Sequence, residues 1–189
     1  MATFQTIIAA YKQDYQHNAA QEQRWFEIQP TLADAVSMAA LAQAPSGKRL
    51  SHQCRIPGSV LEQARALLMR HLERFEQIRD FDDLHAEIDT LTGNIAGIGE
   101  LYVYDTALRI GAKLGIKPKH VYVHAGVREG IRNLGLDPKQ PRIPIVKLPA
   151  PFRTLDAFEI EDVLCIYKHQ LAGAAIIERN KARCYPTER

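Results

Sequence analysis

The sequence predicts an all-α fold, a helical domain built around a helix-hairpin-helix segment, and three observations carry that prediction. Apolar residues recur at helical spacing, as in Phe4, Ile7, Ile8, Tyr11 and Tyr15, and again in Leu61, Ala64, Leu68, Leu72 and Phe75. Helix-start signatures precede the periodic runs: Thr31 with Asp34, Ser59-x-x-Glu62 and Asp156-x-x-Glu159. Glycine and proline gather between the runs at 44–58, and proline again at 137–153.

Taken in order, residues 2–16 read as an amphipathic helix; they carry no basic n-region and no cleavage-like site, so a signal peptide is not expected. "TLADAVSMAALAQA" after Pro30 is a second helix with Thr31 as N-cap. "APSGKRLSHQCRIPG" is an exposed connection. Ser59 then opens one long helix through Phe75, and "FDDLHAEIDTLTG" forms another that ends at Gly93. Pro138, Pro141, Pro144, Pro149 and Pro151 punctuate an extended crossing. The last helix starts at Asp156, with Leu155 against Ile160 as a staple and Phe158, Val163, Ile166 and Tyr167 as its core face. The tail after Lys181 is expected to fray. The expected organisation is one domain: a helical segment at about 1–43, a loop at 44–58, a core at about 59–136, and a crossing with a C-terminal helix over 137–189.

Composition bounds the function. Apolar residues make up 46% and charged residues 24%, the balance of a soluble globular protein. No apolar run approaches the roughly 20 residues of a membrane helix, so no membrane partner is expected. Cys54, Cys165 and Cys184 are odd in number, without a C-x-x-C, which argues against a disulfide framework or a zinc module and for the reducing cytoplasm. The net charge of +2 does not by itself announce nucleic acid.

The informative stretch is "NIAGIGELYVYDTALRIGAKLGIKPKHVYVHAGVREGIRNLGL", residues 94–136. Gly97 and Gly99 lie between a helix end and a helix start, where they allow a tight turn and leave backbone N–H groups for a phosphate oxygen. At least one of the two is expected at positive φ, and a β-branched residue at Gly99 is expected to harm folding and binding alike. No strand precedes them and no third glycine follows at dinucleotide spacing, which excludes a Rossmann fingerprint; no Gly-Lys-Ser/Thr follows, which excludes a P-loop.

Residues 94–136 resemble the helix-hairpin-helix of the DNA glycosylase superfamily. "IAGIG" stands at the hairpin, and Ala107 matches the alanine of the next helix if about one turn, some four residues, is inserted after Gly99. "VYVH" stands where the family has an apolar-x-Val-Asp, so the implied aspartate is His124 here. Glu100 to Tyr104 occupy the region of the lysine that lyase members use. The resemblance implies contact with DNA through its backbone, with the family's excision chemistry in doubt.

Candidate side chains surround this stretch. Tyr102, Asp105, Thr106 and Arg109 share one helix face, while Leu101, Tyr104, Ala107, Leu108 and Gly111 turn to the core. Asp105 and Arg109 form either a surface ion pair, or a site in which Asp105 replaces the missing carboxylate, faces His124 as an acid/base partner and converges with Arg128. Gly97, Gly99, Lys117, Lys119 and His120 are candidate phosphate contacts. His52 and Arg55, beside Gln53, are candidates for base edges, or else Arg55 caps a carbonyl. His71 and His85 read as ordinary, and Glu159, Glu161 and Asp162 as carboxylates at a helix start. No metal and no cofactor are expected. The expected function is nucleic-acid binding on a glycosylase-like scaffold, DNA being the partner. The alternatives are a small-molecule or nucleotide enzyme using Asp105 and His124, or a module that binds a protein partner.

Overall fold

The computed structural model describes residues 2–184, the side chains as far as residue 177. In chain order its helices are α1 (Phe4–Asp14), α2 (Gln16–Glu27), α3 (Leu32–Ala40), α4 (Gly58–Met69), α5 (Leu72–Gln77), α6 (Phe81–Thr92), α7 (Glu100–Leu114), α8 (Ala125–Asn133), α9 (Ala157–Ile166) and α10 (Lys168–Cys184). Two strands, β1 (His120–Tyr122) and β2 (Arg142–Pro144), form the one sheet among the described residues, so the fold is all-α. The fraying expected after Lys181 falls partly on residues 185–189, outside the described residues.

The chain divides into two compact units, residues 1–17 with 119–189, and residues 18–118. In the first, the Thr3 side chain accepts from the Thr6 N–H and Thr6 accepts from the Thr3 N–H, which starts α1. Phe4, Ile7, Ile8 and Tyr11 then enter a core with Val121, Ile143, Phe152, Leu155, Ile160, Val163 and Leu164. Tyr15 follows the helical spacing but lies 42% exposed, stacked on Tyr11. The crossing is tied down where β1 pairs antiparallel with β2, Val121 opposite Ile143. At the start of α9 the Glu159 carboxylate accepts from the Asp156 N–H, 2.8 Å, as the predicted box requires. Leu155 and Ile160 are both core residues. Ile166, predicted to face the core, is 41% exposed; Ile160 and Leu164 hold the stripe instead, because the buried face is turned by the approach of α8. That approach is close: a Cβ on Gly130 of α8 would stand 2.3 Å from the Leu164 carbonyl oxygen.

In the second unit, Thr31 and Asp34 form the predicted cap of α3. The Ser59–Glu62 box does not form. The helix α4 begins two residues earlier than that box requires, at Gly58 behind the N-cap Pro57, which has no side-chain acceptor, and Glu62 pairs with Arg65 at 2.8 Å. The long helix expected through Phe75 is broken after Met69. His71 Nδ1 lies 2.9 Å from the Leu67 carbonyl oxygen, and the N–H groups of Arg70 and His71 reach back three residues rather than four. The helix α6 ends at Gly93, as expected, although Gly93 keeps right-handed backbone at φ −61°. Ile95, Leu61, Ala64 and Tyr102 form a small core beneath the following turn.

Candidate functional site

The turn between α6 and α7 is built on Gly97, at φ +96°, a left-handed conformation that favours glycine. A Cβ there would meet the Val60 side chain at 3.7 Å, so the first turn of α4 touches the turn that leads into α7. Gly99 is the N-cap of α7 at φ −131° and ψ 174°, with no side-chain cap and nothing within 4 Å of an added Cβ. Any residue adopts that backbone, so the demand for glycine rests on Gly97. The start of α7 is exposed, and its N-cap, Gly99, has no side chain with which to cap it.

The arginine that binds a carbonyl in the 44–58 loop is Arg49, not Arg55: its Nη1 donates to the Ile56 oxygen at 2.6 Å. Its Nη2 would lie 3.5 Å from a Cβ on Gly58, at the equally uncapped start of α4. Arg49, Gly47, Gly58, Gln43 and Glu62 line a cavity of about 310 Å³ there. Arg55 and Lys117 are exposed. Lys117 follows the far end of α7, whose two ends stand roughly 21 Å apart, about 1.5 Å for each step from Glu100 to Leu114. Lys119, exposed, and His120, half-buried in β1, belong to the other unit.

Asp105 and Arg109 are not a surface pair; they are 7% and 3% exposed. Asp105 Oδ2 accepts from Gln53 Nε2 at 2.5 Å, and it lies 3.3 Å from His52 Nδ1 and 3.5 Å from Arg109 Nη2. Burial pushes the Asp105 carboxyl up, but Arg109, His52 and Gln53 outweigh it and hold the group below the usual carboxylate value. Arg109 also binds Glu22 through Nε at 3.1 Å and Gln53 through Nη2 at 3.3 Å, with its guanidinium over the Phe26 ring. The Tyr102 hydroxyl donates to the Ala40 carbonyl at 2.9 Å, and burial pushes this phenol up to about 12. The half-exposed His52 is therefore held on a buried polar anchor, and Asp105 serves that anchor.

In the other unit His124 is the N-cap of α8, and its Nε2 lies 2.7 Å from Glu161 Oε1, both residues buried. Arg128 is half-buried one turn further along α8. Asp105 and His124 belong to different units, and each has a partner in its own: the carboxylate beside His124 is Glu161. The three acidic residues of α9 have separate uses. Glu159 accepts from Gln16, Asp162 from the Tyr11 hydroxyl at 2.9 Å, and Glu161 binds the imidazole. Burial, then Asp162, pushes the Tyr11 phenol far up. Glu161 had a signal in the sequence: it stands three residues from both Phe158 and Leu164, a charge on an apolar stripe. A buried carboxylate–imidazole pair can hold and pass a proton. Among the described residues no group of three His, Cys, Asp or Glu side chains is placed to hold a metal ion. No family model, no curated protein and no solved structure matches this chain.

Proposed function

We propose that this chain binds nucleic acid, duplex DNA first, by holding backbone phosphates at the glycine turn that opens α7. The observation that carries the reading is the exposed start of α7, where Gly97 makes the turn at positive φ and the N-cap, Gly99, has no side chain of its own to cap the helix. The neighbouring start of α4 is uncapped as well and has the Arg49 guanidinium beside it, so one face of this unit offers two helix termini and a cation. His52 and Arg55, on the loop anchored by Asp105, extend the reading towards base edges. Exposed Lys117 and Lys119 add contacts that carry no sequence information.

A second reading is favoured by the His124–Glu161 pair. Where the resembling family has an aspartate, this chain has an imidazole with a buried carboxylate on it, and that pair is a candidate acid/base group in its own unit.

One experiment serves both. Labelled duplex DNA, single-stranded DNA and RNA, plus a base-damaged duplex, are titrated at two salt concentrations and the damaged duplex is afterwards run on a denaturing gel. Saturable duplex binding that weakens with salt is expected, with the slope of log affinity against log salt reduced by roughly one for each of Lys117→Ala and Lys119→Ala. Absence of saturable binding at low salt sinks the proposal, and an unchanged slope in the double variant removes both lysines from the interface. The damaged duplex is treated with hot alkali before the gel, which breaks the strand at abasic sites; strand products from wild type that vanish in Glu161→Gln would assign chemistry to the His124 pair, and binding without products leaves a binding protein.

A further inference from the structure

The pair on His124 has a third neighbour. Glu161 and Cys165 lie one turn apart on α9, and both face the start of α8. A Cβ built on Gly126 would stand 3.0 Å from Cys165 Sγ, 3.5 Å from His124 Cε1 and 3.7 Å from His124 Nδ1. The thiol and the imidazole edge turned away from Glu161 therefore both pack against residue 126, which leaves room for the two of them because it has no side chain. With the Glu161 carboxylate accepting from Nε2–H, the basic nitrogen of the neutral ring is Nδ1, on the side of the thiol. Cys165 is half-buried, so the sulfur is neither sealed in the core nor an open surface thiol. Residue 126 lies in the first turn of α8, where the helix terminus favours a negative sulfur.

We propose that Cys165 is a nucleophilic thiol, with His124 as its base and Glu161 as the carboxylate that positions the ring, in a site for small electrophilic substrates such as acyl carbonyl compounds. The Sγ proton passes to Nδ1 as sulfur bonds to the electrophilic carbon. The leaving group departs with the electron pair of the broken bond and takes the proton from the imidazolium. The inference does not rest on nucleic-acid binding, and the binding arm of the titration above does not bear on it.

The test is alkylation of the full chain by iodoacetamide across a pH series, each cysteine followed by mass spectrometry, with exposed Cys54 as the internal comparison. The variant is His124→Gln, which keeps an N–H donor for Glu161 and has no titrating nitrogen. An ordinary thiol is about 1% thiolate at pH 6.5, whereas one beside an imidazolium and a helix start reaches roughly 10% or more. Cys165 in the wild type is therefore expected to label on the order of tenfold faster at pH 6.5 than in His124→Gln, with Cys54 labelling equally in both. A Cys165 profile that rises with pH as Cys54 does, or equal Cys165 rates in the two proteins, overturns the proposal. If His124→Gln lacks the native circular dichroism spectrum, Glu161→Gln is read in the same assay; a retained wild-type rate there overturns the proposal and a lost advantage supports it.

Discussion

Gly97 and Gly99 stand two residues apart and ask different things of the chain. At φ +96°, Gly97 holds a conformation that a side chain resists, with Val60 beside it. At φ −131° and with open space around it, Gly99 does not. Gly97→Ala is expected to destabilise the protein by about 1–2 kcal/mol, and Gly99→Ala by less than about 0.5 kcal/mol, in urea unfolding. Equal losses would mean that the turn is not set by Gly97. Asp105 is the second residue whose worth is measurable. Its folded carboxyl titrates below the unfolded value of about 3.9, so its stabilisation is present above that value and is lost as pH falls through the folded one. Asp105→Asn is expected to cost roughly 2–3 kcal/mol at pH 7 and to flatten the fall in stability below about pH 4. Wild-type stability in the variant at pH 7 would show that the buried anchor contributes little.

At the scale of elements, the contact of α8 with α9 carries the buried pair, since α8 brings His124 and α9 brings Glu161. Gly130 sets how close the two helices come. With a Cβ only 2.3 Å from a backbone oxygen, Gly130→Ala must push the helices apart, and a loss of about 3 kcal/mol is expected. A melting temperature equal to wild type would contradict that close approach. The helix α7 is the corresponding element of the other unit. It is buried on most sides, which explains how Tyr102, Asp105 and Arg109 can be internal while Tyr104, Ala107 and Ile110 are internal too. A helix covered this way has no polar face to spare, so its charges must satisfy one another.

For the whole molecule, the middle of the chain forms one compact unit and the two ends form the other. The hairpin, Arg49, His52, Arg55 and Lys117 all belong to the middle unit, so the proposed phosphate contacts can be compared within it. Lys117 and the glycine turn sit at opposite ends of α7, roughly 21 Å apart, too far to share a phosphate. In the binding titration the losses from Lys117→Ala and Gly99→Val are therefore expected to add to within about 0.5 kcal/mol. A double variant that loses no more than one single variant would show that the two sites act on one contact. Among the described residues no helix is long and apolar enough to cross a membrane.

What the sequence determined by itself was local. The caps at Thr31 and Asp156, the end of α6 at Gly93, the turn at Gly97 and the start of α8 at His124 depend on residues within about one helical turn of each other. Those interactions form wherever the segment sits, so they can be read from spacing. The Ser59 box failed on the same local scale, because Pro57 and Gly58 began the helix two residues sooner. Tertiary structure decided the rest. Periodicity left Asp105 and Arg109 open between a surface pair and a site; the short helical turn of residues 51–53, more than fifty positions away, covers them and supplies Gln53. The dipole of α9 accounted for Glu161 without a partner, yet its partner is His124, 37 positions earlier in the chain. Burial and distant pairing come from which helices pack together, and that depends on the summed apolar surface of many segments rather than on the spacing within any one of them.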